Sequence, residues 1–201
     1  MNNKLEEKYE NPIDIILIRL AHKIKGFFYT FNFIPNHITT LSLIFGLLSI
    51  YLLYKNKYKL SILCFAIGYF FDILDGVYAR SYDMVTVFGD YYDHISDVLI
   101  IGLFLFMIIY KCNNRTKLIP YMILCCICGI LTFIHIGCQE NIYNSIESDS
   151  LTISKKLCSN PLQKIKYSRF FGCGTFMLLL IMITLISEKI LKKNLNNNKC
   201  L

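Results

Sequence analysis

Long apolar runs alternate with short polar segments along this chain of 201 residues. Five of the runs carry few or no charges and have about the length of 17–25 residues that a helix needs to cross a bilayer. They cover residues 38–54, about 60–82, about 85–110, 118–139 and 170–187. The pattern predicts an all-α fold, a polytopic membrane helix bundle with five clear transmembrane helices.

The segment ahead of the first run has a different pattern. Its apolar residues recur at the spacing of one helix face, at Ile13, Ile16, Leu17, Leu20 and Ile24. Pro12 suits the first turn of such a helix. This pattern favours an amphipathic helix lying in the membrane interface, with a helix packed on the protein itself as the alternative.

The polar parts of the chain set the expected boundaries. Residues 1–33 are expected to form a polar segment and the amphipathic helix, and residues 34–187 the transmembrane domain. Residues 188–201, rich in Asn and Lys, are expected to be a disordered tail. The basic residues from Lys155 to Arg169 are expected to form a solvated loop beside anionic lipid, with binding of a phosphorylated ligand as the alternative.

Composition and charge fit a membrane protein better than a nucleic-acid-binding one. Hydrophobic residues make up 55% of the chain and charged residues 17%, and the formal net charge is +7. The basic residues are spread over the ends and short loops, so no basic face with accessible aromatic residues is formed. We therefore expect a bilayer and no nucleic acid as partner.

Cysteine is common in this chain, with nine residues. Five of them lie in apolar runs, where a thiol behaves as a small hydrophobe: Cys64, Cys125, Cys126, Cys128 and Cys173. The spacing predicts neither a disulfide framework nor a structural zinc site.

Four aspartates in the middle of the chain are the candidate chemistry. Asp72 and Asp75 share one face of a predicted helix, while Asp93 and Asp97 share one face of the next. Asp72 follows twelve charge-free residues and Asp97 precedes thirteen more, a depth at which a carboxylate is costly and usually functional. If the two helices pack antiparallel, the carboxylates converge, and such an oxygen cluster suits Mg²⁺, Mn²⁺ or Ca²⁺.

The spacing of these aspartates resembles a known signature. The pattern Asp-x2-Asp-Gly-x2-Ala-Arg-x8-Gly-x3-Asp-x3-Asp, which begins at Asp72 and ends at Asp97, is similar to that of the class I CDP-alcohol phosphatidyltransferases. The resemblance implies a phospholipid-synthesising enzyme that transfers a substituted phosphate from a CDP-linked donor to an alcohol and releases CMP. Such enzymes typically have six transmembrane helices, one more than we predict. The alternative is a non-enzymatic divalent-metal transporter or ion-binding membrane protein that uses the same cluster.

The resemblance also implies roles for individual residues. Two divalent ions, Mg²⁺ or Mn²⁺, would be held by Asp72, Asp75, Asp93 and Asp97, and Asp97 would also be the catalytic general base. The substrate-binding positions would be Gly76, Ala79, Arg80 and Gly89, together with Asn36 and Thr39. For Asn36 and Thr39, capping of the first transmembrane helix is an equally good interpretation.

Several features of the enzyme stay open at this stage. His94 after Asp93 is similar to the choline and ethanolamine phosphotransferases, which join CDP-choline or CDP-ethanolamine to diacylglycerol. The short chain instead resembles the synthases that use CDP-diacylglycerol as donor. The resemblance places a catalytic domain at residues 34–187, integral in the membrane and multi-pass with its active site facing the cytosol, and it allows a homodimer.

Overall fold

The computed structural model describes residues 6–112, 115–143 and 152–197. Its helices are α1 (Pro12–Thr30), α2 (Pro35–Tyr54), α3 (Tyr58–Ser81), α4 (Val87–Lys111), α5 (Arg115–Tyr143), α6 (Thr152–Leu157), α7 (Pro161–Ser168) and α8 (Cys173–Asn197). Short 3-10 turns occur at Glu7–Tyr9 and Arg169–Phe171. The beginning of the predicted polar N-terminal segment and residues 198–201 of the predicted tail lie outside the described residues.

The predicted membrane helices are confirmed. Within the described residues, five helical segments are long and apolar enough to cross a membrane. They are Pro35–Tyr54, Tyr58–Ser81, Val87–Lys111, Thr116–Tyr143 and Pro161–Leu191. The last segment joins α7, a 3-10 turn and most of α8. The chain is therefore an all-α, multi-pass membrane protein.

The prediction that residues 188–201 form a disordered tail differs from the structure in the first part of that segment. Helix α8 does not end near residue 187 but continues to Asn197. Adding residues to an existing helix costs much less free energy than nucleating a new one, so the polar composition of this stretch does not end the helix. The rest of the predicted division into three segments stays a prediction.

The polar stretch after α5 folds back onto that helix. Helices α6 and α7 pack against α5, so the predicted basic loop is in part helical. This packing brings Cys138 and Cys158 to a Cα–Cα distance of 5.2 Å, and the two residues form a disulfide. The expectation that the cysteines form no disulfides is thus corrected at this pair, because the contact arises from tertiary packing that sequence spacing does not show.

Helix α2 packs closely against both α3 and α4. A Cβ atom added at Gly68 of α3 would lie 3.2 Å from the carbonyl oxygen of Ser42 and 3.3 Å from the amide nitrogen of Gly46. At Gly46, a Cβ atom would lie 2.8 Å from the side chain of Ile100 on α4. The two glycines therefore allow three helices to approach at one level of the bundle.

A separate apolar core is formed by residues of α3, α4 and α8. The rings of Phe65 on α3 and Phe104 on α4 stack with their centroids 4.3 Å apart. Leu180 and Ile183 of α8 are fully buried in the same cluster. This core holds α3 and α4 together at a distance from the turn that connects them. An open cleft can therefore form at the end of the bundle where that turn lies.

Helix α1 forms at the predicted place, and it carries apolar residues on its buried side and on its exposed side. Ala21 is fully buried in a cluster with Leu74 and Tyr78 of α3. On the other side, Ile16 is 67% exposed and Phe27 is 62% exposed. One face of α1 thus packs on the protein itself, while its position in the membrane interface stays a prediction.

We expect Gly68→Ala to lower the thermal unfolding midpoint in detergent. Alanine has the higher helix propensity by about 1 kcal/mol, but its Cβ would press on the backbone of α2 at Ser42 and Gly46. The matched control is Gly102→Ala on α4, where a Cβ meets no atom within 4 Å. The control should keep or raise the midpoint, and equal behaviour of the two variants would contradict the close α2–α3 contact.

Candidate active site

The turn between α3 and α4 places the two halves of the predicted motif at one end of the bundle. Asp83 has a φ of 54°, and the amide of Met84 donates to the carbonyl oxygen of Ala79 at 2.9 Å. Thr86 then caps α4, because its Oγ1 atom accepts a hydrogen bond from the amide of Gly89 at 3.0 Å. The chain therefore reverses within five residues, 82–86.

Three of the four predicted carboxylates meet between these helices. One oxygen each from Asp72 on α3 and from Asp93 and Asp97 on α4 lie within 4.8 Å of one another. All three residues are partly buried. The carboxylate of Asp72 on α3 therefore faces those of Asp93 and Asp97 on α4, and α2 packs against both helices.

Asp75 is held differently from the other three aspartates. It is 4% exposed, and its Oδ2 atom accepts a hydrogen bond of 2.5 Å from the Oγ1 hydroxyl of Thr39 on α2. Thr39 therefore contacts a predicted metal ligand, which neither of its sequence-based interpretations included. Among the described residues, the three-aspartate group does not include Asp75.

An open cleft of about 110 Å³ lies at the turn end of α3 and α4. Eight of the ten predicted site residues line it: Asn36, Thr39, Asp75, Gly76, Ala79, Arg80, Gly89 and Asp93. A Cβ atom at Gly89 would lie 3.1 Å from Oδ1 of Asn36. At Gly76, a Cβ atom would lie 3.1 and 3.2 Å from the terminal nitrogens of Arg80. The missing side chains thus make room for an amide and a guanidinium group at the wall of the cleft.

The other two predicted residues, Asp72 and Asp97, line a second cavity. It has a volume of about 20 Å³ and extends toward the membrane-embedded part of the bundle. Tyr69 and Met177 also line it. The carboxylate cluster therefore lies between a larger, more polar cleft and a smaller, mainly apolar cavity.

The donor set of the cluster fits a hard divalent cation. Its three converging groups are all carboxylates, and Asp75 supplies a fourth carboxylate at the wall of the neighbouring cleft. Oxygen ligands of this kind suit Mg²⁺ or Mn²⁺ better than zinc, which takes nitrogen and sulfur ligands in most sites. The structure thus agrees with a metal centre at these residues.

Comparison with known families decides between the interpretations of this site. The family model for CDP-alcohol phosphatidyltransferase matches residues 32–193. This chain belongs to that family. The match covers α2 to α8 apart from the end of α8, so it includes the cleft, the carboxylate cluster and the membrane helices.

Curated relatives share part of this region. The CDP-diacylglycerol–glycerol-3-phosphate 3-phosphatidyltransferase of Rickettsia typhi is 35% identical over 83 residues, which cover 40% of this chain and 47% of the relative. The homologous enzyme of Rickettsia prowazekii is also 35% identical, with 40% and 46% covered. The CDP-diacylglycerol–serine O-phosphatidyltransferase of Methanocaldococcus jannaschii is 34% identical over 104 residues, covering 52% and 48%.

These matches are partial. The chain spans about half the length of the curated relatives it matches. No solved structure matches the chain.

His94, considered in the sequence analysis, and the buried His135 both have intramolecular partners. Nδ1 of His94 lies 2.7 Å from the carbonyl oxygen of Asp90 and 3.4 Å from its carboxylate. Nδ1 of the buried His135 lies 3.0 Å from Oγ of Ser168. These contacts favour structural roles for the two side chains.

Two polar residues near the site were not singled out in the sequence. Asp90 lines the cleft next to Gly89, and its charge in the first turn of α4 was the available signal. Asp14 of α1 is 9% exposed and accepts a hydrogen bond of 2.6 Å from Tyr69. An aspartate on an amphipathic helix is usually solvated, so nothing in the sequence indicated that Asp14 is buried.

We expect Thr39→Val to lower the thermal unfolding midpoint, because it removes the hydroxyl that donates to the buried carboxylate of Asp75. Loss of such a partner costs about 1–3 kcal/mol. Thr39→Ser keeps the hydroxyl and should stay closer to the wild type. The measurement is thermal unfolding in detergent with EDTA, and equal midpoints for the Val and Ser variants would contradict the importance of this hydrogen bond.

Proposed function

We propose that the protein synthesises a phospholipid by moving a phosphatidyl group from CDP-diacylglycerol to a small hydroxyl-bearing acceptor, with release of CMP. The carboxylate cluster beside the cleft carries this proposal, because divalent ions held there would neutralise the diphosphate of a donor in the cleft. Family membership supports the reaction class. The relatives are named as CDP-diacylglycerol enzymes, which supports this donor.

The cleft has suitable chemistry for the nucleotide diphosphate of the donor. Arg80 brings a guanidinium group, which forms paired hydrogen bonds with phosphate oxygens. The cleft is lined by three residues with a small side chain or none, Gly76, Ala79 and Gly89. They leave space for the nucleotide to approach the helix backbone. Asn36 adds an amide from α2 on the opposite wall.

The carboxylates have the metal-binding role in this proposal. Asp72, Asp75, Asp93 and Asp97 would hold two divalent ions, Mg²⁺ or Mn²⁺. When bound, such ions neutralise diphosphate charge and stabilise the attacking and leaving oxygens. Thr39 would orient Asp75 through the hydrogen bond described above.

Asp97 is the proposed general base. It lines the smaller cavity, on the side of the cluster away from Arg80. The acceptor hydroxyl would give its proton to Asp97 while its oxygen attacks the phosphorus that carries diacylglycerol. The bond from that phosphorus to the oxygen shared with CMP breaks, and CMP leaves with the bonding electron pair.

The names of the relatives support a donor without choline or ethanolamine. His94 was the residue in the sequence that suggested a choline or ethanolamine donor. Its Nδ1 atom lies close to Asp90 of the same helix. This contact gives the side chain a structural role, and only its Nε2 atom would be available to a substrate. We therefore propose CDP-diacylglycerol as donor, and a phosphorylated polyol or an amino alcohol as acceptor.

We propose that the cleft faces the cytosol, where CDP-linked donors occur. The basic part of α1 lies at the same end of the bundle, since Nζ of Lys25 donates to Oγ of Ser81 at 2.7 Å, where α3 ends. Positive residues near membrane helices favour the cytosolic side. The homodimer stays a prediction.

The proposed reaction is tested with purified protein and three labelled donors in separate reactions. CDP-diacylglycerol, with glycerol-3-phosphate or serine as acceptor, should give CMP and a labelled phospholipid. CDP-choline and CDP-ethanolamine, each with diacylglycerol, should give none. Product only from the latter two would overturn the donor, and Mn²⁺ binding without any turnover would favour a metal transporter over an enzyme.

We expect Asp97→Asn and Asp93→Asn to fail in different ways. Asparagine keeps the shape of Asp97 but is not a base, so turnover should fall by about 10²-fold or more while nucleotide binding stays closer to normal. Asp93→Asn should weaken metal and nucleotide binding together. The measurement pairs CMP binding with turnover for each variant, and equal losses of binding would make Asp97 chiefly another metal ligand.

A further inference from the structure

Helices α6 and α7 form a hairpin, residues 152–168, that is fixed to the end of α5. A disulfide joins Cys138 of α5 to Cys158, which directly follows α6. The side-chain amide of Asn141 on α5 donates to the carbonyl oxygens of Lys155 and Cys158 at 2.8 and 3.0 Å. A covalent bond and two hydrogen bonds therefore hold the α6–α7 hairpin in one position.

The side of the hairpin that touches α5 is closely packed. A Cβ atom added at Gly137 would collide with the backbone carbonyl of Ser154, so α6 contacts the backbone of α5 directly. Ser154 and Ile165 are fully buried. Ile165 packs with the two disulfide cysteines and with Ile134 and Ile142 of α5. The exposed side chains of the hairpin therefore lie on the side away from α5.

The length of α5 gives the depth of the hairpin in the membrane. The apolar segment Thr116–Tyr143 has 28 residues, which at about 1.5 Å per residue make a helix of about 42 Å. The hydrocarbon core of a bilayer is only about 30 Å thick, so one end of this helix extends into the headgroup layer. Three consecutive polar residues, 139–141, identify the carboxyl-terminal end as the projecting one. The hairpin packs beside that end and thus lies at the depth of the lipid headgroups.

Large apolar side chains are exposed on both helices of the hairpin. Ile153 on α6 is 71% exposed and Tyr167 on α7 is 78% exposed. Leu157 and Leu162 are also more than half exposed. A group of exposed apolar side chains is unfavourable in water. Helices in the membrane interface bury such side chains at the boundary of the acyl chains, where tyrosine is also common.

Exposed lysines share the helix faces that carry these apolar residues. On α6, Lys156 follows Ile153 by three residues, and on α7, Lys166 follows Leu162 by four. These spacings place the members of each pair on one helix face. A lysine in this arrangement lays its methylene groups along the apolar surface and keeps its ammonium group in the polar layer.

The charge of this region has one sign. Residues 152–172 include no acidic residue and five basic ones, Lys155, Lys156, Lys164, Lys166 and Arg169. Four to eight basic residues on an amphipathic helix are typical of a surface that binds anionic lipid. The hairpin is already fixed on α5, so a lipid that binds there does not have to order it.

We propose that the α6–α7 hairpin lies in the membrane interface and binds the headgroups of anionic phospholipids. Its apolar side chains enter the boundary of the acyl chains, while its lysines contact lipid phosphates. The hairpin lines neither cavity of the proposed active site, so the inference is independent of the proposed function. An inserted, lipid-binding surface takes the place of the solvated loop expected from the sequence.

The test uses tryptophan fluorescence, because the chain contains no tryptophan of its own. Tyr167→Trp places a single reporter on α7, and Leu162→Trp is a second one. The full chain is reconstituted into phosphatidylcholine vesicles with increasing fractions of brominated phosphatidylglycerol or brominated phosphatidylcholine, whose bromine atoms quench tryptophan on contact. The control reporter is Ile130→Trp, at an exposed position near the middle of α5.

Both α7 reporters should be quenched, with a preference for the anionic lipid. Half-maximal quenching should need about three- to tenfold less brominated phosphatidylglycerol than brominated phosphatidylcholine, because several lysines attract the anionic headgroup. Raising the salt concentration from about 0.1 M to about 1 M should remove most of this preference. It should leave the quenching itself, since apolar contacts are not screened. Ile130→Trp should be quenched equally by the two lipids.

The charge of the hairpin is tested in the Tyr167→Trp protein. Its three exposed lysines are changed to Gln together: Lys156, Lys164 and Lys166. The matched control changes three exposed lysines where α2 and α3 connect, at the other end of the bundle: Lys55, Lys57 and Lys59. The first set should bring the preference for phosphatidylglycerol close to one, and the control set should keep it.

Three kinds of result would overturn the inference. The first is equal quenching by the two lipids at low salt, or a preference that responds in the same way to both sets of lysines. The second is no quenching of either α7 reporter, which would mean that the hairpin is solvated or covered by protein, such as a second copy of the chain. The third is relief of the quenching by dissolved glycerol-3-phosphate, which would assign the basic residues to a soluble phosphorylated ligand.

Discussion

Mutual repulsion among carboxylates is the constraint on which this structure depends. Oxygens of Asp72, Asp93 and Asp97 lie within 4.8 Å of one another inside a bundle of membrane helices. Like charges at this separation repel strongly where water is scarce. The arrangement is stable with all three groups ionised only if cations balance the charge, and the proposed function gives those cations a diphosphate to bind.

The close packing of α2 against α3 and α4 also shapes the end of the bundle that carries the site. Gly46 and Gly68 let α2 approach α3 and α4, and α2 then supplies Asn36 and Thr39 to the cleft. At the level of the cluster α3 and α4 face each other, so that Asp72 meets Asp93 and Asp97. The larger cleft carries the polar groups, while the smaller cavity reaches toward the apolar part of the bundle.

Helical periodicity explains how much of the site the sequence could predict. Spacings of three and four residues place side chains on one helix face whatever the tertiary structure, so the eight motif residues on α3 and α4 all line one of the two cavities. Asn36 and Thr39, which also line the cleft, were predicted from the family resemblance. The lengths of the apolar runs likewise predicted the membrane helices, since bilayer thickness fixes them.

Contacts between distant parts of the chain were beyond the sequence. The hydrogen bond between Thr39 and Asp75 joins residues on two helices, and the Asp14–Tyr69 contact joins residues 55 positions apart. The disulfide between Cys138 and Cys158 forms only because α6 and α7 fold back on α5. Each depends on how helices pack, which residue spacing within one helix does not determine.

The most direct test of the account is the metal dependence of CMP release from CDP-diacylglycerol by the purified protein. After treatment with EDTA and removal of the chelator, CMP release should be lost, because the carboxylates would then repel the diphosphate. Added Mg²⁺ or Mn²⁺ should restore it. Full release of CMP by the metal-free protein would contradict the central claim that the aspartate cluster acts as a metal centre.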